Sequence, residues 1–147
     1  MKHYLFVLIV LLAFGSCHKL SQEEKEDLTI QNYIKDHGLT ATKTSSGLYV
    51  VIDAPGTGSS CNSSSDVRVQ YKGYFDNGEV FDQSSPSGIE FNLQGVIKGW
   101  TEGIPYFKEG GHGKLLIPSY LGYGKQGVNG IPGNTVLIFD VKLIDVL

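Results

Sequence analysis

The sequence predicts an α+β fold in which a sheet of antiparallel strands packs one face against a short helix. Two observations indicate this class. Short segments of alternating apolar and polar residues are separated by tight turns, and the 19 glycines cluster in these turns without a repeat period. One helical segment lies among the strands and carries the only tryptophan of the chain, Trp100. Because an antiparallel sheet of this kind buries one face, this helix is its natural cover.

The composition is that of one ordinary globular domain. The chain has 147 residues, of which 41% are hydrophobic and 18% are charged. Its formal net charge of −3 provides no basic surface, so we expect no nucleic-acid partner. The four histidines lie far apart with no ligand spacing, and we therefore expect no metal site.

The first residues indicate export rather than part of the fold. A charged start is followed by the apolar run Tyr4–Phe14, which is too short for a transmembrane helix of about 20 residues. The run ends in Gly15-Ser16-Cys17, which resembles a bacterial lipoprotein signal in which the cysteine is lipidated. We therefore predict a signal peptide over residues 1–16 and a lipid anchor on Cys17. The alternative is an ordinary signal peptide in which this cysteine has no role.

Lipidation would place the chain in the bacterial cell envelope, with its domain facing the periplasm or the exterior. His18 is not the aspartate linked with inner-membrane retention in enteric bacteria, which favours the outer membrane. With Cys17 lipidated, Cys61 would be the only remaining cysteine, and we expect no disulfide. We expect Cys61 to be a bystander on a flexible serine-rich loop, because no basic residue adjoins it in sequence to activate the thiol.

Residues 17–46 are predicted to hold the anchor, a spacer helix and a linker. Ser21 to Glu24 forms a capping-box pattern, and the helix should run to about His37 and end at Gly38. One face of this helix is charged, and the apolar face is a narrow stripe. Because so narrow a stripe is a thin interface, we favour a spacer packed loosely on the sheet over a docking or dimerising helix. The apolar stripe consists of Ile30, Tyr33, Ile34 and His37.

The remaining elements follow from alternation and from turn residues. The turn at 76–79 contains Asn77-Gly78, which predicts a hairpin with positive φ at both of these residues. The helix at about 96–105 places Ile97, Trp100 and Ile104 on one face. Residues 120–134 form a glycine-rich loop. The predicted strands are 48–54, 67–72, 80–82, 89–93, 114–117 and a last strand with Leu137, Phe139, Val141 and Leu143 on one face.

Aromatic residues are concentrated on the inward faces of these elements. Taken alone, a single tryptophan such as Trp100 is most often a core residue. The aromatic surface here is larger than a small core needs, which indicates a concave apolar site as well as packing. The inward set consists of Tyr71, Phe81, Phe91, Trp100 and Phe139.

The sequence supports neither a dinucleotide-binding site nor a serine nucleophile. Residues 122–127 match the dinucleotide-binding pattern of glycines, but the segment that follows contains glycine and proline and cannot form the required helix. No serine lies in a nucleophile-elbow pattern. Asp82 is the one carboxylate of interest, because it follows Phe81 directly and adjoins the aromatic set.

Ordered motifs along the chain resemble the FKBP family of peptidyl-prolyl isomerases. The resemblance covers about residues 47–147, and it implies an FKBP-like domain over that range. The implied fold is a half-barrel sheet of five to six antiparallel strands wrapped around a short helix. The matching segments are 69–73, 78–85, 96–103, 117–119, 123–124, 131–132 and 137–141.

The resemblance also implies a proline pocket and the roles of its residues. Trp100 would form the floor, Asp82 the polar group at the edge, and the Ile97 backbone N–H and the Tyr123 hydroxyl would bind carbonyls of the peptide. The implied catalytic residues are Tyr71, Asp82, Trp100, Tyr123 and Phe139. The implied substrate-binding residues are Phe81, Val96, Ile97 and Ile131. The resemblance implies proline-containing polypeptides as substrates, macrolides as possible inhibitors and no cofactor.

Two departures from the family pattern lie at the rim of this pocket. Ile89 stands where many members have an aromatic residue, and the loop at 127–130 lacks a histidine-proline pair found in some members. Three functions therefore stay open. The leading one is an isomerase for extracytoplasmic proteins, the second is a membrane-anchored module or chaperone that holds proline segments without turnover, and the third is a carrier of a small apolar ligand.

Overall fold

The computed structural model describes residues 19–147, so the predicted signal peptide and Cys17 lie outside the described residues. Within the described range, none of the helices is both long and apolar enough to cross a membrane. The helices are α1 (Gln22–Asp36) and α2 (Lys98–Gly103), with short 3-10 helices at Leu93–Gly95, Ile104–Tyr106 and Ser119–Leu121. The strands are β1 (Thr42–Lys43), β2 (Tyr49–Ala54), β3 (Asp66–Tyr74), β4 (Val80–Gln83), β5 (Ile89–Asn92), β6 (His112–Ile117) and β7 (Leu137–Val146).

The seven strands form one antiparallel sheet in the order β1-β2-β6-β7-β3-β4, with β5 also paired to β3. Strand β4 pairs with the end of β3, from Lys72 to Tyr74, and β5 pairs with its beginning, from Asp66 to Val69. The two strands therefore share one position beside β3. The expected α+β architecture is confirmed, and the strand count exceeds five or six because this edge strand is interrupted and because two-residue β1 adds a further pairing.

The concave face of the sheet packs against α2 and holds the main core. Side chains of β2, β6 and β7 on this face are buried together with Trp100 and Ile104 of the helical segment. Gly99 and Gly103, one helical turn apart, face β6. An added Cβ on Gly99 would lie 2.6 Å from Ile117, and one on Gly103 would lie 2.6 Å from Leu115. These glycines therefore allow the close approach that sets the depth of Trp100.

Helix α1 covers part of the opposite face of the sheet. Its buried residues Ile30 and Tyr33 contact a second apolar cluster that alternates with the first along β2, β6 and β7. Asp27 on the same helix accepts a hydrogen bond from the Tyr49 hydroxyl at 2.8 Å and pairs with Lys43 at 2.6 Å. The helix is therefore attached to the sheet by both apolar and polar contacts, which is closer packing than we expected from its narrow stripe.

The predicted capping box and the predicted end of α1 are both found in the structure. The Ser21 hydroxyl accepts from the Glu24 N–H, and the Glu24 carboxylate accepts from the Ser21 N–H, which completes the capping box. The helix ends at Asp36, and Gly38 has a φ of 61°. This left-handed conformation suits a glycine that follows a helix.

The hairpin between β3 and β4 differs from the prediction at Asn77. Among residues 19–147, Asn134 is the only non-glycine residue with positive φ, so Asn77 has an ordinary backbone, whereas Gly78 has a φ of 87°. The Gly78 N–H donates to the Phe75 carbonyl, and the Phe75 N–H donates to the Glu79 carbonyl. The loop thus has three residues with a single left-handed glycine, a common hairpin geometry that needs no positive φ at asparagine.

Candidate active site

A cavity of about 630 Å³ opens on the concave side of the sheet, above α2. All nine residues that the sequence assigned to the pocket line it, although they come from β3, β4, α2, β7 and two loops. The lining consists of Tyr71, Phe81, Asp82, Ile89, Phe91, Gly95, Val96, Ile97, Trp100, Tyr123, Val128, Asn129, Gly130, Ile131 and Phe139. The structure therefore brings together the residues that the family resemblance named, while their individual roles stay predictions.

Trp100 lies at the base of this cavity and is only 5% exposed. Three aromatic rings surround it: Tyr71 at 5.0 Å and Phe139 at 5.2 Å, both edge-on, and Phe91 at 5.3 Å in a tilted arrangement, measured between ring centroids. Edge-to-face contacts of this kind are favourable because the positive ring edge meets the negative ring face. The aromatic cluster thus forms a rigid apolar base with few alternative side-chain positions.

The aromatic wall depends on a glycine in β3. The rings of Phe81 and Phe139 meet edge to face at 5.5 Å above Gly73. A Cβ on Gly73 would lie 2.6 Å from Phe81 and 2.7 Å from Phe139. Glycine is needed here because the two rings occupy the space that any side chain at this position would fill.

Tyr71 and Asp82 form the polar edge of the cavity. The Tyr71 hydroxyl donates to the Asp82 carboxylate at 2.6 Å. The pairing is set by the β3–β4 register, in which Asp82 lies opposite Gly73 and the Ser84 N–H donates to the Tyr71 carbonyl. Burial, followed by the hydrogen bond to Asp82 and then the charge of this carboxylate, raises the pKa of Tyr71 well above its usual value. The phenol is therefore a neutral hydrogen-bond donor at physiological pH.

Two further donors face the cavity from the other side. The Ile97 backbone N–H precedes the first turn of α2, and in the part of the chain that the structure describes it donates to no protein acceptor. Tyr123 is 37% exposed, and its hydroxyl has no partner among the described residues. Burial of its ring, and then the Asp82 charge, raises the pKa of Tyr123. Both groups are free to donate to carbonyl groups of a ligand.

Several residues of the rim were noted in the sequence but were given no role in the site. Ile89, which the resemblance placed at the rim, and Phe91, which belongs to the inward aromatic set, lie on alternate positions of β5 and both line the cavity. Val128, Asn129 and Gly130 line the opposite rim from the glycine-rich loop. This loop is held by several contacts within itself: Val128 bridges to Ile131, and the Gly127 N–H donates to the Tyr123 carbonyl.

A second groove of about 790 Å³ runs over β3, β6 and β7. It is the larger of the two, but most of its lining residues are polar or charged, and Tyr71 is the one phenylalanine, tyrosine or tryptophan among them. Such an open polar surface offers nothing that would bind a proline ring, so we assign the site to the aromatic cavity. Its charged residues are Asp53, Lys72, Lys114, Asp140 and Lys142.

Other reactive groups lie outside the cavity. Cys61 is half-buried against the main core rather than free on its loop, and burial raises the pKa of its thiol. Within residues 19–147, no group of three or more histidine, cysteine, aspartate or glutamate side chains could hold a metal ion.

Comparison with known proteins identifies the family. A family model described as FKBP-type peptidyl-prolyl cis-trans isomerase matches residues 58–144. The chain is 46% identical over 122 residues to FkpA, an FKBP-type isomerase of Buchnera aphidicola subsp. Baizongia pistaciae, covering 82% of this chain and 48% of that protein. The chain therefore belongs to the FKBP-type peptidyl-prolyl cis-trans isomerase family, as the sequence motifs predicted.

Solved structures agree with this assignment. The crystal structure of FkpA from Escherichia coli superposes with a TM-score of 0.76 at 42% identity, covering 85% of this chain and 59% of that one. A peptidyl-prolyl cis-trans isomerase from Pseudomonas syringae superposes with a TM-score of 0.72 at 28% identity, covering 88% and 98%. The chain spans about half the length of the curated relatives that it matches.

Proposed function

We propose that this chain is a peptidyl-prolyl cis-trans isomerase that accelerates rotation about X–Pro bonds during the folding of extracytoplasmic proteins. The observation that carries the proposal is the arrangement of the cavity. Its base and walls are aromatic, and Tyr71, Asp82 and Tyr123 add polar groups to the lining, where we expect them to meet the backbone of a bound peptide. Family membership supports the same reaction.

The proposed mechanism uses the environment of the bound amide. Rotation about a peptide bond has a barrier of about 18–20 kcal/mol because the twisted amide loses resonance. The twisted form also has less charge separation, so an apolar surround such as the rings of Trp100, Phe139 and Phe81 favours it relative to water. The proline ring would rest on Trp100 while the bond turns.

Polar groups at the rim would hold the backbone on either side of the rotating bond. The Ile97 N–H and the Tyr123 hydroxyl have no acceptor within residues 19–147, and each can donate to a carbonyl of the peptide. The Tyr71 hydroxyl donates to the Asp82 carboxylate and so fixes the orientation of this polar group at the edge of the cavity. On this account Tyr71, Asp82, Trp100, Tyr123 and Phe139 take part in catalysis. The residues that shape the binding surface are Phe81, Val96, Ile97 and Ile131.

We also propose a lipid anchor on Cys17 and an envelope location for the domain. The support is the apolar run that ends in small residues and cysteine. Labelling cells with a fatty-acid analogue tests this directly: the protein should take up the label, and Cys17→Ser should abolish uptake. Unchanged labelling of Cys17→Ser would exclude this anchor.

Macrolides that compete for the aromatic cavity are proposed inhibitors.

A second candidate function is that of a holder of proline-containing segments with little turnover. The exposed apolar side chains at the rim favour it, since Ile89 is 44% exposed and Val128 is 48% exposed beside the cavity. Such a rim can bind unfolded chains without any rotation of the bound amide.

Proline-limited refolding of a test protein separates the two functions. Uncatalysed X–Pro isomerisation takes roughly 10–100 s, so a catalyst shortens the slow refolding phase in proportion to its concentration. We expect acceleration by the full chain, a weaker effect of Asp82→Ala, and no change for Asp76→Ala, a matched carboxylate in the exposed turn of the same hairpin. Suppressed aggregation with an unchanged slow phase would reject the isomerase in favour of the holder.

A further inference from the structure

A buried carboxylate of α1 contacts the loop that carries Tyr123. Glu26 lies in the second turn of α1 and is only 3% exposed. Its two oxygens accept hydrogen bonds from the Ser119 N–H and the Ser119 hydroxyl, both at 2.7 Å. A third bond comes from the Gln22 amide at 2.8 Å. Within residues 19–147, Glu26 forms no salt bridge, so these donors alone offset the loss of water around the carboxylate.

Ser119 in turn organises the backbone on both sides of Tyr123. It follows Pro118 and begins a 3-10 helix whose first N–H groups lack partners within the helix. Glu26 supplies the acceptor for the first of them. The Ser119 carbonyl then accepts from the Gly122 N–H at 2.9 Å and from the Gly124 N–H at 2.7 Å. These two glycines flank Tyr123, so the position of this residue depends on the orientation of Ser119.

We propose that Glu26 is a positioning residue for the isomerase site: through Ser119 it holds the 119–124 segment so that the Tyr123 hydroxyl faces the proline cavity. Helix α1, which lies on the far face of the sheet, is then part of the active-site scaffold. This inference rests on the proposed function, because Tyr123 affects the rate only if the cavity turns over a peptide.

The neighbouring residue provides a matched control. Asp27 also makes three contacts, but they are with Lys43, Tyr49 and Gln31, and none is with the 119–124 segment. Loss of either carboxylate weakens the attachment of α1. Only the loss of Glu26 releases Ser119.

Three variants distinguish positioning from general stability. Glu26→Ala removes both acceptors of Ser119, and Asp27→Ala removes the control contacts. Glu26→Gln is the conservative variant, because its carbonyl can accept the Ser119 N–H while the Ser119 hydroxyl accepts from the new amide. Should Glu26→Ala fail to fold, Ser119→Ala removes one of the two bonds and keeps the peptide chain of the loop intact.

The first measurement is amide hydrogen exchange at Gly124, which does not depend on activity. We expect Glu26→Ala to speed this exchange by about tenfold or more relative to Asp27→Ala. The reason is that the Gly124 N–H donates to the Ser119 carbonyl, and the orientation of this carbonyl depends on Glu26. The second measurement is kcat/KM for an X–Pro peptide at a temperature where all variants are folded. Glu26→Ala should lower it roughly threefold to tenfold, Asp27→Ala should leave it unchanged, and Glu26→Gln should restore most of it.

Combination with Tyr123→Phe completes the test. If Glu26 acts through Tyr123, the double variant Glu26→Ala/Tyr123→Phe loses no more activity than Tyr123→Phe alone. Equal exchange at Gly124 in Glu26→Ala and Asp27→Ala, or additive losses in the double variant, would overturn the positioning role. An inactive wild-type chain would instead reject the proposed function, and the amide exchange would still decide whether Glu26 holds the loop.

Discussion

The hydroxyl of Tyr71 donates a 2.6 Å hydrogen bond to the carboxylate of Asp82 at the edge of the aromatic cavity. Tyr71 belongs to β3 and Asp82 to β4, so the pair depends on the register of these two strands. The Tyr71 ring also packs edge-on against Trp100. One tyrosine therefore connects the apolar base of the site to the carboxylate at its edge.

Replacement of Tyr71 by phenylalanine tests this connection. Tyr71→Phe keeps the ring contact with Trp100 and removes the donor to Asp82, so we expect kcat/KM for an X–Pro peptide to fall roughly threefold to tenfold while the fold is retained. Tyr106→Phe is the matched control, because Tyr106 is exposed and lies outside the cavity. Equal activity of the two variants would show that the hydroxyl of Tyr71 has no part in the reaction.

Trp100 is expected to serve both stability and function. Its burial among three rings implies that Trp100→Ala would cost about 3–5 kcal/mol of unfolding free energy. Trp100→Leu keeps part of the apolar volume but removes the flat indole ring at the base of the cavity. Its kcat/KM should therefore fall by a larger factor than the fraction of protein that is folded. Denaturant unfolding and peptide isomerisation, measured on the same sample, give the two effects. Unchanged kcat/KM in a folded Trp100→Leu protein would place the proline elsewhere.

The close contact between α2 and β6 should tolerate no added methyl group. In Gly99→Ala the new Cβ meets the side chain of buried Ile117 at 2.6 Å, and we expect a loss of about 1–3 kcal/mol of unfolding free energy. Gly95→Ala is the control, because nothing lies within 4 Å of an added Cβ there. Similar denaturation midpoints for the two variants would mean that α2 can shift away from the sheet without cost.

Tyrosine ionisation should make the fold less stable at high pH. Burial, then hydrogen bonds with Tyr33 and Asp140, raises the pKa of Tyr74 above its usual value near 10. The unfolded chain releases this proton at lower pH than the folded chain does, so the stabilising contribution is complete below about pH 10 and declines as the pH rises above it. Denaturant unfolding between pH 8 and 11 should show the decline.

The variant Tyr74→Phe identifies the tyrosine responsible. It removes this titration, so the unfolding free energy should fall less steeply with pH above about pH 10. The slope of the variant should be shallower than that of wild type by up to about 1.4 kcal/mol per pH unit. An identical slope in Tyr74→Phe and wild type would show that Tyr74 ionises normally in the folded chain.

The pocket could be predicted from the sequence because its residues lie in short local motifs. Alternation placed Tyr71 and Phe139 on inward faces, and the position of Trp100 in a short helix indicated a cover for the sheet. These patterns depend only on strand and helix periodicity. Family resemblance then supplied the role of the Ile97 N–H and brought Tyr123 to the cavity, neither of which follows from a periodic pattern.

Glu26 and the strand count were not predictable in this way. A glutamate in an amphipathic helix normally faces water, and nothing near Glu26 in sequence reveals that Ser119, far along the chain, supplies its donors. The prediction of positive φ at Asn77 was wrong because Asn-Gly is compatible with more than one hairpin loop, and strand pairing decides between them. Contacts between distant segments thus set the features that local patterns missed.

We claim that the aromatic cavity accelerates rotation about a bound X–Pro amide, and NMR can follow this rotation itself as the cis–trans exchange of a short X–Pro peptide. In the presence of the full chain, exchange should rise at least about tenfold above the uncatalysed rate, which corresponds to times of 10–100 s. Tyr71→Phe should reduce this acceleration, whereas Tyr106→Phe should not. A peptide that binds the cavity while its exchange rate stays at the uncatalysed value would contradict the claim.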